Sequence, residues 1–188
     1  MTLYQLAGYL HLIGGVGLFV ALGLEWAMIV RIRSAHTVEQ ARAWLSLVAF
    51  QRPVGLASLI TVLIAGLYMA VTAWGAVAWI SATVASLLLM MAFGAYNGLN
   101  LAPLETTLKG ERDTLSPERL EQLRNALLLA SVHSRAGILL GILALMKFKP
   151  DVIGSVLTIA VALLLGVVSA LPILLRQPAS AELAREGA

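Results

Sequence analysis

Five ionisable residues interrupt long apolar runs, and they are the residues whose chemistry could matter here: His11, Glu25, Arg52, His133 and Arg135. An ionisable side chain at the centre of a membrane helix costs about 2.5–3.5 kcal/mol on insertion scales, so it normally faces a partner, a ligand or a cavity. Imidazole can bind haem iron, guanidinium can bind carboxylate or phosphate, and a membrane carboxylate can carry a proton.

His133 and Arg135 lie well inside the apolar run 126–146. One hypothesis makes His133 a buried cofactor ligand and Arg135 the partner of an anionic group, such as a haem propionate or a substrate carboxylate. The other has Arg135 neutralising Glu25 while His133 hydrogen-bonds to a neighbouring helix. The sequence leaves both open.

His11 is the second candidate ligand, for a metal or for haem b, and glycines lie beside it. Gly14 and Gly15 follow it by three and four positions, and Gly137 follows His133 by four. Such a notch could accept a flat macrocycle, or it could let two helices approach closely. Small residues recur on the His133 helix at Ala130, Ser134, Gly137 and Gly141. This seam favours packing, and depth estimates do not favour one haem shared by both histidines.

Glu25 follows His11 by fourteen residues, about four helical turns, and therefore lies near the same helix face. It could pair with Arg52 or with Arg135. It could also be the proton or cation site of a coupled transporter. Arg52 precedes a run that is long enough to span the membrane alone, so we expect its side chain to reach toward the interface.

The composition establishes what must position these residues. The chain has 188 residues, of which 60% are hydrophobic and 12% charged, with a mean hydropathy of +0.89. Soluble domains carry about 25% charged residues, so a cytosolic globular enzyme, a nucleic-acid-binding domain and a disordered chain are excluded. The net charge of +3 comes from basic residues between apolar runs, and there is no cysteine to form a disulfide or a thiolate site.

The fold class predicted is an all-α polytopic transmembrane bundle in a single domain, 1–176, followed by a short flexible tail, 177–188. A span needs about 20 predominantly apolar residues. Five segments satisfy this length, with helices at about 3–30, 43–73, 76–98, 117–148 and 152–175.

Basic residues set the predicted orientation. Nine Lys or Arg residues fall on one side and two, Lys147 and Lys149, on the other. The positive-inside rule then places the N-terminus outside and the C-terminus inside a bacterial cytoplasmic (inner) membrane. The expected partners are membrane lipid and, through the small-residue seams, a second copy of the chain, but not nucleic acid.

Two short motifs resemble a known family. The run Tyr9-Leu10-His11-Leu12-Ile13-Gly14-Gly15-Val16-Gly17-Leu18 resembles the first helix of small bacterial integral membrane proteins of unassigned activity, in a superfamily related to the copper-resistance D-like domain. The Leu145-Met146…Lys149-Pro150 ending of the fourth predicted helix is similar to the same family.

The resemblance implies that His11 is a metal or haem ligand. Membrane protoporphyrinogen oxidases, which are similar, also place a haem-ligating histidine early in their first helix. This chain departs from them because it lacks their Pro-Arg-Leu continuation and has a fifth segment.

Three functions therefore stand as expectations. The first is a cofactor- or ligand-binding membrane protein that uses His11 or His133 as an axial ligand and Arg135 as the anion partner. The second is a small proton- or cation-coupled transporter or channel component that uses Glu25 and the histidines. The third is a non-catalytic membrane scaffold. None of the three is an enzyme, which is therefore the less expected class.

Overall fold

The computed structural model describes residues 1–108 and 115–175, and this part of the chain is a helical bundle without strands. Five helical segments are long and apolar enough to cross a membrane, which confirms the predicted fold class. The helices are α1 (Leu3–Ile32), α2 (Val38–Leu45), α3 (Leu47–Met69), α4 (Ala78–Thr107), α5 (Pro117–Leu123), α6 (Ala126–Phe148) and α7 (Val152–Leu175).

The start of α1 and the end of α6 agree closely with the predicted bounds, because local capping fixes both ends. Thr2 and Gln5 form a reciprocal capping box at the start of α1, which satisfies two backbone donors that have no partner within the helix. At the end of α6, Lys149 adopts a left-handed conformation with φ 49°. Pro150 follows and cannot continue the helix.

Two predicted helices are each broken into a short helix and a long one. The second breaks at Ser46, whose hydroxyl donates to the carbonyl of Ala43 at 2.7 Å. It does not break at Pro53, which lies inside α3. The fourth breaks before Asn125, whose side chain accepts from the backbone N–H of Leu127 at 2.8 Å and caps α6.

The third spanning helix is longer than predicted, since α4 runs through Pro103 to Thr107. Leu101 and Leu104 on this extension are buried in the core, which keeps the extra turns docked. The predicted tail and some of the basic residues counted for orientation lie outside the described residues, namely Lys109, Arg112, Arg176 and Arg185.

The five long helices form two packed units. In the first unit α1 lies along α3, and in the second unit α6 packs against α7 and α4. The main helix contact between the units is that of α1 with α6. The opening between α3 and α4 is therefore a seam between the units rather than a close-packed interface.

Glycines make both units close-packed. A Cβ placed on Gly14 of α1 would lie 3.0 Å from the carbonyl oxygen of Ser58 on α3. A Cβ on Gly141 of α6 would lie 2.8 Å from the Cβ of Ala162 on α7, and one on Gly137 would overlap the Ala162 carbonyl. Gly14 beside His11 and Gly137 beside His133 are thus used for helix packing, whereas a Cβ on Gly15 would meet nothing within 4 Å. The predicted contact with a second copy of the chain stays a prediction.

Each end of the bundle carries a cation beside an aromatic ring. At one, which we call the lysine end, the Lys149 ammonium lies 4.0 Å from the ring centre of Trp74, and Trp74 stacks edge-on against Trp79. At the other, the arginine end, the guanidinium of Arg31 lies 5.9 Å from the ring centre of Trp44. Aromatic rings at both ends are typical of membrane interfaces. Which end faces the cytoplasm stays a prediction.

Two arginines tie the units together at the arginine end. Arg33 donates to the carbonyls of Arg124 at 2.5 Å and Asn125 at 3.2 Å, and Arg124 Nε donates to the carbonyl of Arg33 at 3.2 Å. Burial, followed by the neighbouring Arg124 charge, lowers the pKa of Arg33 from its ordinary value. Within the described part of the chain, Arg33 donates its hydrogen bonds to carbonyl groups, so these contacts link the ends of α1 and α5.

Replacing Gly137 by alanine should destabilise the bundle, because the new methyl group would force α6 away from α7. Overpacking of this kind costs about 1–3 kcal/mol, and thermal unfolding in detergent, followed by helical circular dichroism, measures it. Gly23→Ala is the control, because a Cβ there meets nothing within 4 Å. Equal melting temperatures for Gly137→Ala and Gly23→Ala would contradict the packing described.

Candidate functional site

The Glu25 carboxylate is the centre of the polar interior. Glu25 is 5% exposed, and three other helices supply hydrogen-bond donors to its carboxylate. Arg135 Nη1 of α6 donates to Oε2 at 2.6 Å, Gln51 Nε2 of α3 to Oε2 at 3.2 Å, and Asn97 Nδ2 of α4 to Oε1 at 2.9 Å. One carboxylate therefore joins α1, α3, α4 and α6. Of the two partners predicted for Glu25, Arg52 and Arg135, the structure pairs it with Arg135.

The Arg135 guanidinium occupies space that a glycine leaves open. A Cβ on Gly94 of α4 would lie 3.3 Å from the guanidinium carbon, so a larger residue there would press on the ion pair. Arginine has five N–H donors, and the structure pairs one of them, on Nη1, with Glu25. Nε is buried without a partner. Arg135 thus neutralises Glu25 and still has unused donor capacity.

Asn97 carries a second unpaired atom at the same site. The residue is 1% exposed, its amide nitrogen donates to Glu25, and its Oδ1 is buried without a partner. Buried polar atoms are normally hydrogen-bonded, and an exception at a charged cluster is a reason to look for a function.

A cavity of about 380 Å³ opens beside the ion pair. This volume lies toward the small end of ligand pockets. Its polar wall consists of Glu25, Gln51, Arg52 and Arg135. Leucines, valine and methionines from α1, α3 and α4 form its apolar wall, namely Leu18, Leu22, Met28, Val48, Leu56, Leu59, Met90, Met91 and Leu101. The cavity follows the seam between α3 and α4.

Arg52 lines the cavity on α3. Its Nη2 donates to the carbonyl of Gly98 on α4 at 3.3 Å, which bridges the seam. The predicted interfacial position of Arg52 stays a prediction, and the side chain shares the cavity with Glu25 and Arg135.

His133, two residues before Arg135 on α6, lies in a second polar cluster. Trp26 Nε1 donates to its Nε2 at 2.8 Å, and its Nδ1 lies 2.7 Å from the hydroxyl of Ser169. An indole N–H can only donate, so Nε2 of His133 accepts. Nδ1 therefore carries a proton and donates a hydrogen bond to the Ser169 hydroxyl oxygen. Ser169 in turn donates to the carbonyl of Gly166 at 2.6 Å. The expected hydrogen bond from His133 to a neighbouring helix is confirmed, and both ring nitrogens are engaged.

His11 has different surroundings. Its Nδ1 lies 3.0 Å from the carbonyl oxygen of Val62 on α3, so Nδ1 bears the proton and Nε2 has the lone pair. The ring fits against Gly66, where a Cβ would lie 2.8 Å from His11 Cε1. The hydrogen bonds of His11 go to α3 and those of His133 to α1 and α7. Among the described residues, no three His, Cys, Asp or Glu side chains group as a metal site.

Sequence reasoning missed the neutral members of both clusters: Gln51, Asn97, Trp26 and Ser169. A polar amide inside an apolar helix is the signal that could have found Asn97. Trp26 gave no signal, because an indole near the end of a membrane helix is typical of the interface.

Comparison of this chain with protein-family models, with curated proteins and with solved structures finds no match. The site is therefore interpreted from its own geometry.

Breaking the ion pair should lower stability. Glu25→Gln leaves a buried guanidinium without its counter-charge, and Arg135→Gln does the same to the carboxylate, so each should lose about 3–5 kcal/mol in thermal unfolding. The double variant should lose less than the sum, since the two residues act together. Glu121→Gln, at an exposed carboxylate, should change stability by less than about 0.5 kcal/mol. Additive losses would show that the pair is not coupled.

Proposed function

We propose that this protein is a proton-coupled transporter, or the membrane component of one, in which Glu25 is the proton-accepting group. The observation that carries the proposal is the position of Glu25. It is a buried carboxylate on a cavity, bonded across the seam between two helical units. Ionisable residues inside a membrane commonly mark ion pathways and proton relays. We place the protein in a bacterial cytoplasmic membrane with its N-terminus outside.

The charges around Glu25 make its protonation consequential. Arg135 on α6 forms the ion pair, Arg52 on α3 lines the same cavity, and the amides of Gln51 and Asn97 complete the shell. His133, two residues before Arg135, is held by Trp26 and Ser169. When Glu25 takes a proton, the ionic attraction to Arg135 ends, and the guanidinium becomes available to a ligand.

The same step weakens the connection between the units. Gln51 is on the unit that carries Glu25, whereas Arg135 and Asn97 are on the other. Two of the three bonds to Glu25 therefore connect the two units. Transporters often work by rigid-body rocking of one helical unit against another around a site near the middle of the membrane. Release of the Glu25 bonds would permit that motion.

Infrared difference spectra recorded from alkaline to acidic pH test the proton site. The wild-type protein should show the carbonyl stretch of a newly protonated carboxylic acid, and Glu25→Gln should lack that band. Glu121→Gln should keep it. If the Glu25→Gln spectrum equals that of the wild type, Glu25 is not the proton site, and the result favours the scaffold function.

Haem binding through His11 is the second candidate function. The bond from Nδ1 to the Val62 carbonyl orients the ring and leaves Nε2 as the basic nitrogen. This is how metal-bound histidines are commonly held. The resemblance to the copper-resistance D-like superfamily points to the same residue. His133 is the weaker ligand candidate because Trp26 already donates to its Nε2.

A visible spectrum of protein expressed with supplied haem tests this candidate. A haem protein shows a Soret band that shifts on dithionite reduction. The band should vanish in His11→Ala and persist in His36→Ala, where the histidine is exposed. A featureless wild-type spectrum would remove haem from consideration.

A further inference from the structure

The cavity between α3 and α4 has the chemistry of a site for a small amphiphilic anion. We infer that its ligand has one anionic head, a carboxylate or a sulfonate-like group, and a short apolar tail. The inference rests on the proposed function, because the anion replaces the Glu25 carboxylate on Arg135.

The charge of the cavity selects the head group. Once Glu25 is protonated, the Arg135 guanidinium has no anionic partner among the residues that line the cavity. Arg135 has a single hydrogen bond to Glu25 and a buried Nε without a partner. A guanidinium binds a planar or tetrahedral oxyanion through paired N–H donors. A cation in the same cavity would meet net repulsion.

The remaining wall selects the tail. Apart from the four polar side chains, leucine, valine, methionine and glycine line the cavity. A hydrocarbon chain is stabilised there by burial of its apolar surface, at about 25 cal/mol per Å². The volume of about 380 Å³ suits a short chain.

The route of entry follows from the helix packing. Since α3 packs on α1 and α4 packs on α6, the seam between α3 and α4 is the weakly packed side of the cavity. The turn joining them, with Trp74 against Trp79, closes the seam at the lysine end. Arg52 bridges it to the Gly98 carbonyl farther along. An amphiphile dissolved in the membrane could enter sideways between these two closures.

Binding of the anion and protonation of Glu25 should be linked. Two anionic groups on one guanidinium repel strongly in a low-dielectric site. The ligand therefore binds when Glu25 accepts a proton, which keeps the total charge of the site unchanged. Each anion bound should take up close to one proton.

Hexanesulfonate is a suitable probe because it stays ionised at all working pH values and cannot itself accept the proton. Calorimetry on the full-length protein in nanodiscs, repeated in two buffers of different ionisation enthalpy, gives both affinity and proton uptake. Hexanesulfonate should bind, whereas hexylammonium and hexanol should bind at least tenfold more weakly. Empty nanodiscs correct for partition into lipid.

Variants distinguish a specific site from simple partition. Arg135→Gln should weaken hexanesulfonate binding at least tenfold. Gly98→Leu should abolish it, since Gly98 lines the cavity and a Cβ there meets no atom within 4 Å. Gly23→Leu is the matched control, because Gly23 is equally unobstructed but outside the cavity lining. Glu25→Gln should bind more tightly than wild type and without proton uptake.

The outcomes separate this inference from the proposed function. If Glu25 titrates in the infrared spectrum but hexanesulfonate does not bind, the anion site is wrong and the proton site stands. If hexanesulfonate binds and the variants behave as expected but no proton is taken up, the anion site stands and the coupling is wrong. Equal binding by wild type, Arg135→Gln and Gly98→Leu would overturn the site.

Discussion

The Glu25 carboxylate is the group on which the rest of the structure depends. A buried charge in a low-dielectric interior is tolerated when an opposite charge and hydrogen bonds compensate it. Arg135, Gln51 and Asn97 provide this compensation from three helices. Their arrangement requires α1, α3, α4 and α6 to meet at one depth. Gly94 belongs to the same requirement, because its missing side chain gives the guanidinium its place.

The second polar cluster extends this constraint to the last helix. Trp26 is adjacent to Glu25 on α1, and His133 is two residues from Arg135 on α6. Through the bond from His133 to Ser169, the cluster reaches α7. The two clusters thus link all five long helices. Lipid is as apolar as the helix surfaces, so burial of apolar side chains gives little preference for one rotation of a helix. The directional bonds and the glycine contacts together set that rotation.

The sequence predicted the five spans well because the length of an apolar run is a strong constraint in a membrane. It also named the pairing of Glu25 with Arg135 among the alternatives, since two opposite charges in apolar runs need partners. It did not reveal Gln51, Asn97 or Ser169 as partners, because neutral polar residues barely alter the hydropathy. Whether they meet a charge depends on helix rotation. The helix breaks at Ser46 and Asn125 were also missed, since each depends on one local side-chain bond.

The bonds of Glu25 to Arg135 and Asn97 connect the two helical units, and we propose that protonation of Glu25 releases these bonds. The chain has no cysteine, so Ala49→Cys on α3 and Leu127→Cys on α6, both exposed, give unique spin-label positions, one on each unit. Pulsed electron resonance then measures the distance between the units in nanodiscs. Acidification should shift the wild-type distance distribution, and Glu25→Gln should already show the shifted distribution at neutral pH. Distributions that are identical for wild type and Glu25→Gln at every pH would contradict this proposal.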